Sequence, residues 1–192
     1  QIKTSLHTSL RNLQTSYLDS WVMHSPMKNI DLTMQAWGVM EEAVDNGKVR
    51  QLGMSNCYSL EEFKMIYDQA RIKPAVLQNR FYDTSDFDTE LRQFCKDHDI
   101  TYQSFWTLTA NRKALGTHQA KEMAEAHHLT PQTYMYAFLM SLGYVTPLSG
   151  STSSIHMAQD VELMKRFQEG EVFFDGEEEL RKFARLLKMP AL

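Results

Sequence analysis

Polar and aromatic residues stand at the carboxyl ends of five strand-like segments, which is where a parallel βα fold assembles its chemistry. They are His24, then Ser55 and Asn56, then Gln78 and Asn79, then Phe105 and Trp106, then the stretch Ser149 to Ser154. An imidazole, hydroxyls, side-chain amides and aromatic planes at one mouth suit a flat, polar heterocycle, stacked on one face and hydrogen-bonded at its edge. His24 closes the run YLDSWVMHSP. A histidine there can orient or protonate a carbonyl, or it can be a hydrogen-bonded structural residue, and the segment alone leaves both readings open.

The last of these stretches, PLSGSTSSIHMAQDVELM, places small and hydroxylated residues immediately before a helix that begins near Ser154. Free backbone amides and the positive end of a helix dipole make an anion site, and in barrel enzymes a phosphate often binds at that position. A serine-capped helix with no ligand accounts for the same residues equally well. Other groupings carry less. His127 and His128 are adjacent on an expected helix and face different ways, and His98, His118 and His156 have no ligand spacing, so no metal site is expected. LSGSTS is not a GxSxG nucleophile elbow, and no Cys–His pairing is suggested by position.

The elements that must position these residues alternate from end to end. The strands read as 18–24, 49–55, 75–79, 100–106 and 144–150. Strand and helix in alternation with short links indicate a parallel sheet covered by helices. Ser59 followed by Glu62 is a capping box, after which Leu60, Phe63, Ile66 and Ala70 form an apolar face. Thr130 followed by Pro131 starts another helix, whose buried face is Tyr134, Ala137 and Phe138, and Gly143 stops it. Gly47 closes the helix that carries Trp37, Met40 and Val44. A final helix over 177–188 presents Leu180, Phe183 and Leu187, with its apolar face expected against the outside of the sheet. The run EGEVFFDGEEEL reads as a solvated face, and the methionines and phenylalanines as core filling.

With 192 residues, 43% of them hydrophobic, the chain is expected to form one domain with one core. Twenty basic against 24 acidic side chains, with no cationic block, argue against a nucleic-acid or membrane-surface partner and favour a small-molecule substrate. Two unclustered cysteines, Cys57 and Cys95, point to a reducing compartment, and cytoplasm is the expectation. Ile2, Leu6, Leu10 and Leu13 keep helical spacing from the first residues onward.

Taken in order, YLDSWVMHSP, WGVMEEAVDNGKVRQLGMSN, the Gln78 strand, YQSFWTLTANR and TPQTYMYAFLMSLGYVTPLSGST resemble the aldo-keto reductases. The resemblance implies α/β architecture of the (β/α)8 TIM-barrel type, represented here by about five βα units that match strands four to eight: a partial or truncated barrel. It implies NADP(H) as cofactor and aldehydes or ketones as substrates. Carried over by motif, His24 matches the histidine that orients the substrate carbonyl. Ser55, Asn56 and Gln78 match the residues that hold the nicotinamide carboxamide. Phe105 matches the ring that stacks on the nicotinamide, and Trp106 and Leu108 beside it are assigned to the cofactor site. Gly150, Ser151, Thr152, His156, Gln159 and Asp160 fall where the pyrophosphate and the adenosine 2'-phosphate are gripped.

Two departures shape the expectation. The family's aspartate, proton-donating tyrosine and lysine have no match in this sequence, so a chain of these residues alone is not expected to be a competent reductase. Gly150 and His156 stand where the family often uses cations, which leaves NAD against NADP undecided. Two alternatives follow: a repurposed non-redox enzyme (isomerase, dehydratase or cyclase) using His24 as acid or base, with Tyr58 or Tyr82 as the phenol, or a non-catalytic binding or regulatory module. Five strands cannot close an eight-stranded barrel, so open sheet edges are expected, covered by self-association or by a partner.

Overall fold

The leucine, valine and methionine of VRQLGMS leave Leu52 to Ser55 buried in succession, the pattern of a strand covered on both faces in a parallel sheet. In the computed structural model, which describes residues 1–190 and 192, this run is β2 (Val49–Ser55). The chain divides into two compact units, Gln1–Asn79 with Glu90–Tyr102, and Arg80–Thr89 with Gln103–Leu192.

The first unit holds α1 (Ile2–Leu13), β1 (Leu18–Met23), α2 (Ile30–Asp45), β2, α3 (Leu60–Gln69) and all but the last residue of β3 (Val76–Arg80). It also holds all but the first residue of α4 (Thr89–Asp97) and the start of β4 (Thr101–Phe105). The strands run parallel. β1 pairs with β2 through Leu18↔Val49 to Met23↔Met54, and β2 with β3 through Gly53↔Val76 to Ser55↔Gln78. The Thr101 N–H donates to the Ala75 carbonyl and brings β4 alongside. Trp37 and Met40 of α2, Phe63 and Ile66 of α3, and Leu52, Met54 and Leu77 of the strands form the core. The Trp37 indole N–H donates to the Ile72 carbonyl at 3.0 Å, so the largest buried side chain leaves no polar atom unmet. Gly53 is required by space: a Cβ there would lie 2.9 Å from the Val76 Cβ.

The second unit holds the carboxyl end of β4, the short helices α5 (Thr107–Ala110) and α6 (Arg112–Leu115), then α7 (His118–Glu125), α8 (Pro131–Ser141), β5 (Val145–Pro147), α9 (Ser154–Gln168) and α10 (Glu177–Leu187). The Leu148 N–H donates to the Ser104 carbonyl at 2.8 Å, which places β5 beside β4. Thr130 caps α8 with Pro131 in its first turn, as expected, and Thr133 completes the cap by accepting from the Thr130 N–H. Tyr134, Met135, Ala137, Phe138 and Leu139 are all fully buried, so α8 is covered on every side.

Four expectations are corrected. The fifth strand is three residues long and ends at Pro147, not at Gly150, because proline has no N–H to extend the ladder. The run near the carboxyl end is solvated only in part: its charged residues Glu169, Glu171, Asp175, Glu177 and Glu178 are exposed, but Phe173 and Phe174 are 1% and 4% exposed. α10 turns its apolar face to α8, with the Phe183 ring 5.0 Å from that of Tyr134 and 5.1 Å from that of Phe138. His127 and His128 lie beyond α7, in the turn that follows it, and not on a helix. Among the described residues no helix is long and apolar enough to cross a membrane.

Candidate functional site

In the first unit the carboxyl ends of β1, β2 and β3 bring four of the expected residues together. The Gln78 carbonyl is the anchor, accepting from the Ser55 hydroxyl at 2.8 Å and from the Asn56 N–H at 3.1 Å. The Asn56 amide then donates to the His24 carbonyl at 2.8 Å and to the Ser55 hydroxyl at 3.1 Å. Asn56 has φ 52°, a left-handed conformation that asparagine tolerates better than most residues, and this turns its side chain back along the strand ends. Tyr58, on the same loop, donates its hydroxyl to Asn56 Oδ1 at 3.3 Å.

Ser55 is buried, Asn56 and Gln78 are half-buried, and His24 is exposed. Among the described residues no hydrogen-bond partner meets the His24 ring, so the reading of His24 as a structural, hydrogen-bonded histidine finds no support in its surroundings. The imidazole is free to face a ligand. What is fixed is the backbone beneath it, held by Asn56.

Asn79, one of the strand-end residues of the sequence but given no role by the family motifs, is a positioning residue. It is fully buried, its amide donates to the Cys57 carbonyl at 2.7 Å, and its oxygen accepts from the Cys57 N–H at 3.1 Å. Both backbone groups of the loop after β2 are thereby tied to β3, which holds Ser55 and Asn56 at the strand ends. Its sequence signal was a second amide beside Gln78.

In the second unit the stretch after β5 closes over a cavity of about 340 Å³. Leu108, Gly150, Ser151, His156, Gln159 and Asp160 line it, as does Tyr136 of α8. Phe105, Trp106 and Thr152 are not among its lining residues. Ser153 caps α9 by accepting from the His156 N–H at 3.4 Å, and the Ser151 hydroxyl accepts from the Ser153 N–H at 3.1 Å, so two of the loop's hydroxyls already serve its own amides. The Ser149 hydroxyl donates to Asp160 at 2.5 Å. Burial, with the Asp160 carboxylate beside it, pushes the Tyr136 hydroxyl above its ordinary pKa against the pull of a bond with Ser149. The cavity therefore offers hydroxyls, an amide, a carboxylate acceptor and an aromatic wall, with no lysine or arginine among its lining residues. Such a set suits the hydroxyls and ring edges of a nucleoside.

Trp106 is 47% exposed at φ 58°, with the Arg80 guanidinium 4.9 Å above its ring and the Tyr82 ring edge-on at 6.3 Å. Phe105 before it is half-buried. Asn111 steadies this loop by donating to the Phe81 and Thr107 carbonyls at 2.9 and 2.8 Å. Among the described residues no group of three or more histidine, cysteine, aspartate or glutamate side chains could hold a metal ion.

A model of the aldo/keto reductase family matches residues 1–111. Glyoxal reductase of Bacillus subtilis is 29% identical over 138 residues, covering 72% of this chain and 48% of that protein. The NADPH-dependent alpha-keto amide reductase of Saccharomyces cerevisiae is 30% identical over 108 residues, covering 54% of this chain and 34% of that protein. The crystal structure of an aldo-keto reductase from Klebsiella pneumoniae, in complex with NADPH, superposes with a TM-score of 0.79 at 25% identity, over 96% of this chain and 64% of that one. The chain spans about half the length of the curated relatives it matches.

Proposed function

Since the chain belongs to the aldo/keto reductase family, we propose that it carries two subsites for a nicotinamide dinucleotide, NADP(H) in the family's manner, together with the carbonyl-orienting histidine of a reductase. The observation that supports this best is the cluster at the strand ends of the first unit, where Ser55, Asn56 and Gln78 are hydrogen-bonded to one another and to the backbone of the exposed His24. A carboxamide needs donors and acceptors held in one plane. Ser55 Oγ and the Asn56 and Gln78 side chains are the groups that would meet it, and Asn79 keeps their loop in place. The His24 ring would donate to a substrate carbonyl oxygen and draw charge onto it. The dinucleotide, when bound, supplies the hydride.

In the second unit the cavity below the loop after β5 would receive the adenosine, with Asp160 and Gln159 toward its polar edge and Tyr136 along its face. The substrates of the reading are small aldehydes and ketones. The family's proton-donating tyrosine, with its aspartate and lysine, has no matched position in this sequence, so the chain by itself is expected to bind the cofactor without turnover.

The test is calorimetric titration of the chain with NADP+, alongside the variant Gln78→Ala. Saturable binding in the unsubstituted chain, weakened by about tenfold when a hydrogen-bonding side chain is removed, supports the reading. No heat of binding, or binding indifferent to Gln78, overturns it. An assay of NADPH oxidation with a reactive aldehyde should show no rate above background.

A further inference from the structure

Trp106 follows β4 at φ 58°, a left-handed backbone that is an outlier for so bulky a side chain. The residue is nonetheless 47% exposed, so the strain is not recovered by burying the ring. The backbone around it is fixed at three successive carbonyls. That of Phe105 accepts from the Phe81 N–H at 3.2 Å, that of Trp106 from the Ala110 N–H at 2.9 Å, and that of Thr107 from the Asn111 amide at 2.8 Å. The same amide donates to the Phe81 carbonyl at 2.9 Å, so one buried asparagine clamps the segments that follow β3 and β4. Strain that the surroundings hold in place this firmly marks a residue kept for a ligand.

The side chains beside it say which ligand. The exposed Arg80, last residue of β3, sets its guanidinium over the indole at 4.9 Å from the ring centroid, and the half-buried Tyr82 meets the indole edge-on at 6.3 Å. All three residues belong to the second unit. We propose that Trp106, Arg80 and Tyr82 form a binding site for an aromatic carboxylate, whose flat ring stacks on the indole while its carboxylate pairs with Arg80. An indole offers a wide apolar face to a planar ring. A guanidinium has five N–H donors in a planar fork, so Arg80 can hold a carboxylate through two of them and keep bonds within the protein through the others. A neutral aromatic would use the indole alone, and a small inorganic anion the guanidinium alone; the pair favours a ligand that carries both groups. Trp106 is not among the residues that line the adenosine cavity, so this site stands or falls apart from the cofactor assignment.

The experiment compares 2-naphthoate with its neutral isostere 2-naphthamide by calorimetric titration against the unsubstituted chain, Arg80→Gln, Trp106→Gly and the control Lys182→Gln, an exposed cation on α10. The expected result is that the unsubstituted chain and the control bind the acid about tenfold more tightly than the amide. Arg80→Gln should remove that advantage while the affinity for the amide stays the same, which shows that the fold and the indole are intact. Glycine adopts the left-handed backbone without strain, so Trp106→Gly removes only the stacking face and should weaken both ligands by about tenfold. Equal affinity of acid and amide for the unsubstituted chain, an advantage that survives Arg80→Gln, binding indifferent to Trp106→Gly, or no binding of either ligand overturns the proposal.

Discussion

Asn56 does two jobs in one residue. Its φ of 52° demands a left-handed backbone, and its amide bridges the His24 carbonyl and the Ser55 hydroxyl. The two roles separate under substitution. Asn56→Gly keeps the backbone conformation and loses only the amide, which should cost about 1 kcal/mol for hydrogen bonds of this kind. Asn56→Ala loses the amide and also forces an L side chain into the left-handed region, which adds about 1–2 kcal/mol. Urea denaturation should therefore rank the alanine variant below the glycine variant, with both below the unsubstituted chain. Equal stability of the two variants would mean that the loop relaxes around position 56 and that its backbone is not held by the strand ends. Asn79 was harder to read from sequence, because an asparagine after a strand looks the same whether it faces ligand or clamps a loop. Only the reciprocal bonds to Cys57 distinguish the two. Tyr136 was hidden for a related reason, since on an apolar helix it reads as core filling, and its hydroxyl gains meaning only beside Ser149 and Asp160.

At the scale of elements, α10 is latched by one carboxylate. Glu179 Oε1 accepts from the Tyr134 hydroxyl and pairs with the His127 ring, each at 2.9 Å, while Oε2 accepts from the Asp175 N–H at 2.8 Å. Burial pushes the Glu179 carboxyl up, but the Asp175 N–H, the His127 ring and the Tyr134 hydroxyl outweigh it and hold the group below the usual carboxylate range. Burial and the same bond push the Tyr134 hydroxyl well above its ordinary value. A depressed carboxylate contributes stability that is present above its unfolded pKa of about 4.3 and is lost as pH falls through the folded value. A raised phenol contributes stability that is present below about pH 10 and is lost as pH rises beyond it. Glu179→Gln should lower stability by about 1–3 kcal/mol at pH 7. Thermal melts of the two chains should converge as pH falls below about 4; a gap that persists in acid would show that the charge on Glu179 is not what holds α10. None of this latch was legible in EGEVFFDGEEEL, where acidic residues surround two phenylalanines, and Phe174 packs on Tyr134 and Phe138, some forty residues earlier in sequence. β2 was legible to the residue because Gly47 and Ser59 punctuate it on both sides, whereas β5 was overdrawn because its small polar residues look extended without a ladder to join.

At the scale of the whole molecule the open question is the sheet edge. β1 begins the strand order and has a strand neighbour on one side only, among the described residues. Asp19 and Ser20 are both exposed, and Asp19 is paired with Arg50 of β2, so one charge guards an edge six residues long. Next to it, Trp21 is half-buried and lines a cavity of about 390 Å³ with Leu6, Val39 and Ala43. Unpaired N–H and C=O groups beside a hollow lined by both apolar residues and the charged Lys3, Glu42 and Lys48 form a template for another strand. The chain is therefore expected to self-associate at micromolar concentration through backbone bonds and the apolar part of that surface. Ser20→Lys places a charge on that edge without touching the core, and should shift sedimentation toward the monomer while leaving the thermal midpoint unchanged. A monomer at tens of micromolar in the unsubstituted chain would overturn the expectation, and so would an association that the lysine does not weaken, since β1 would then not be the surface that pairs.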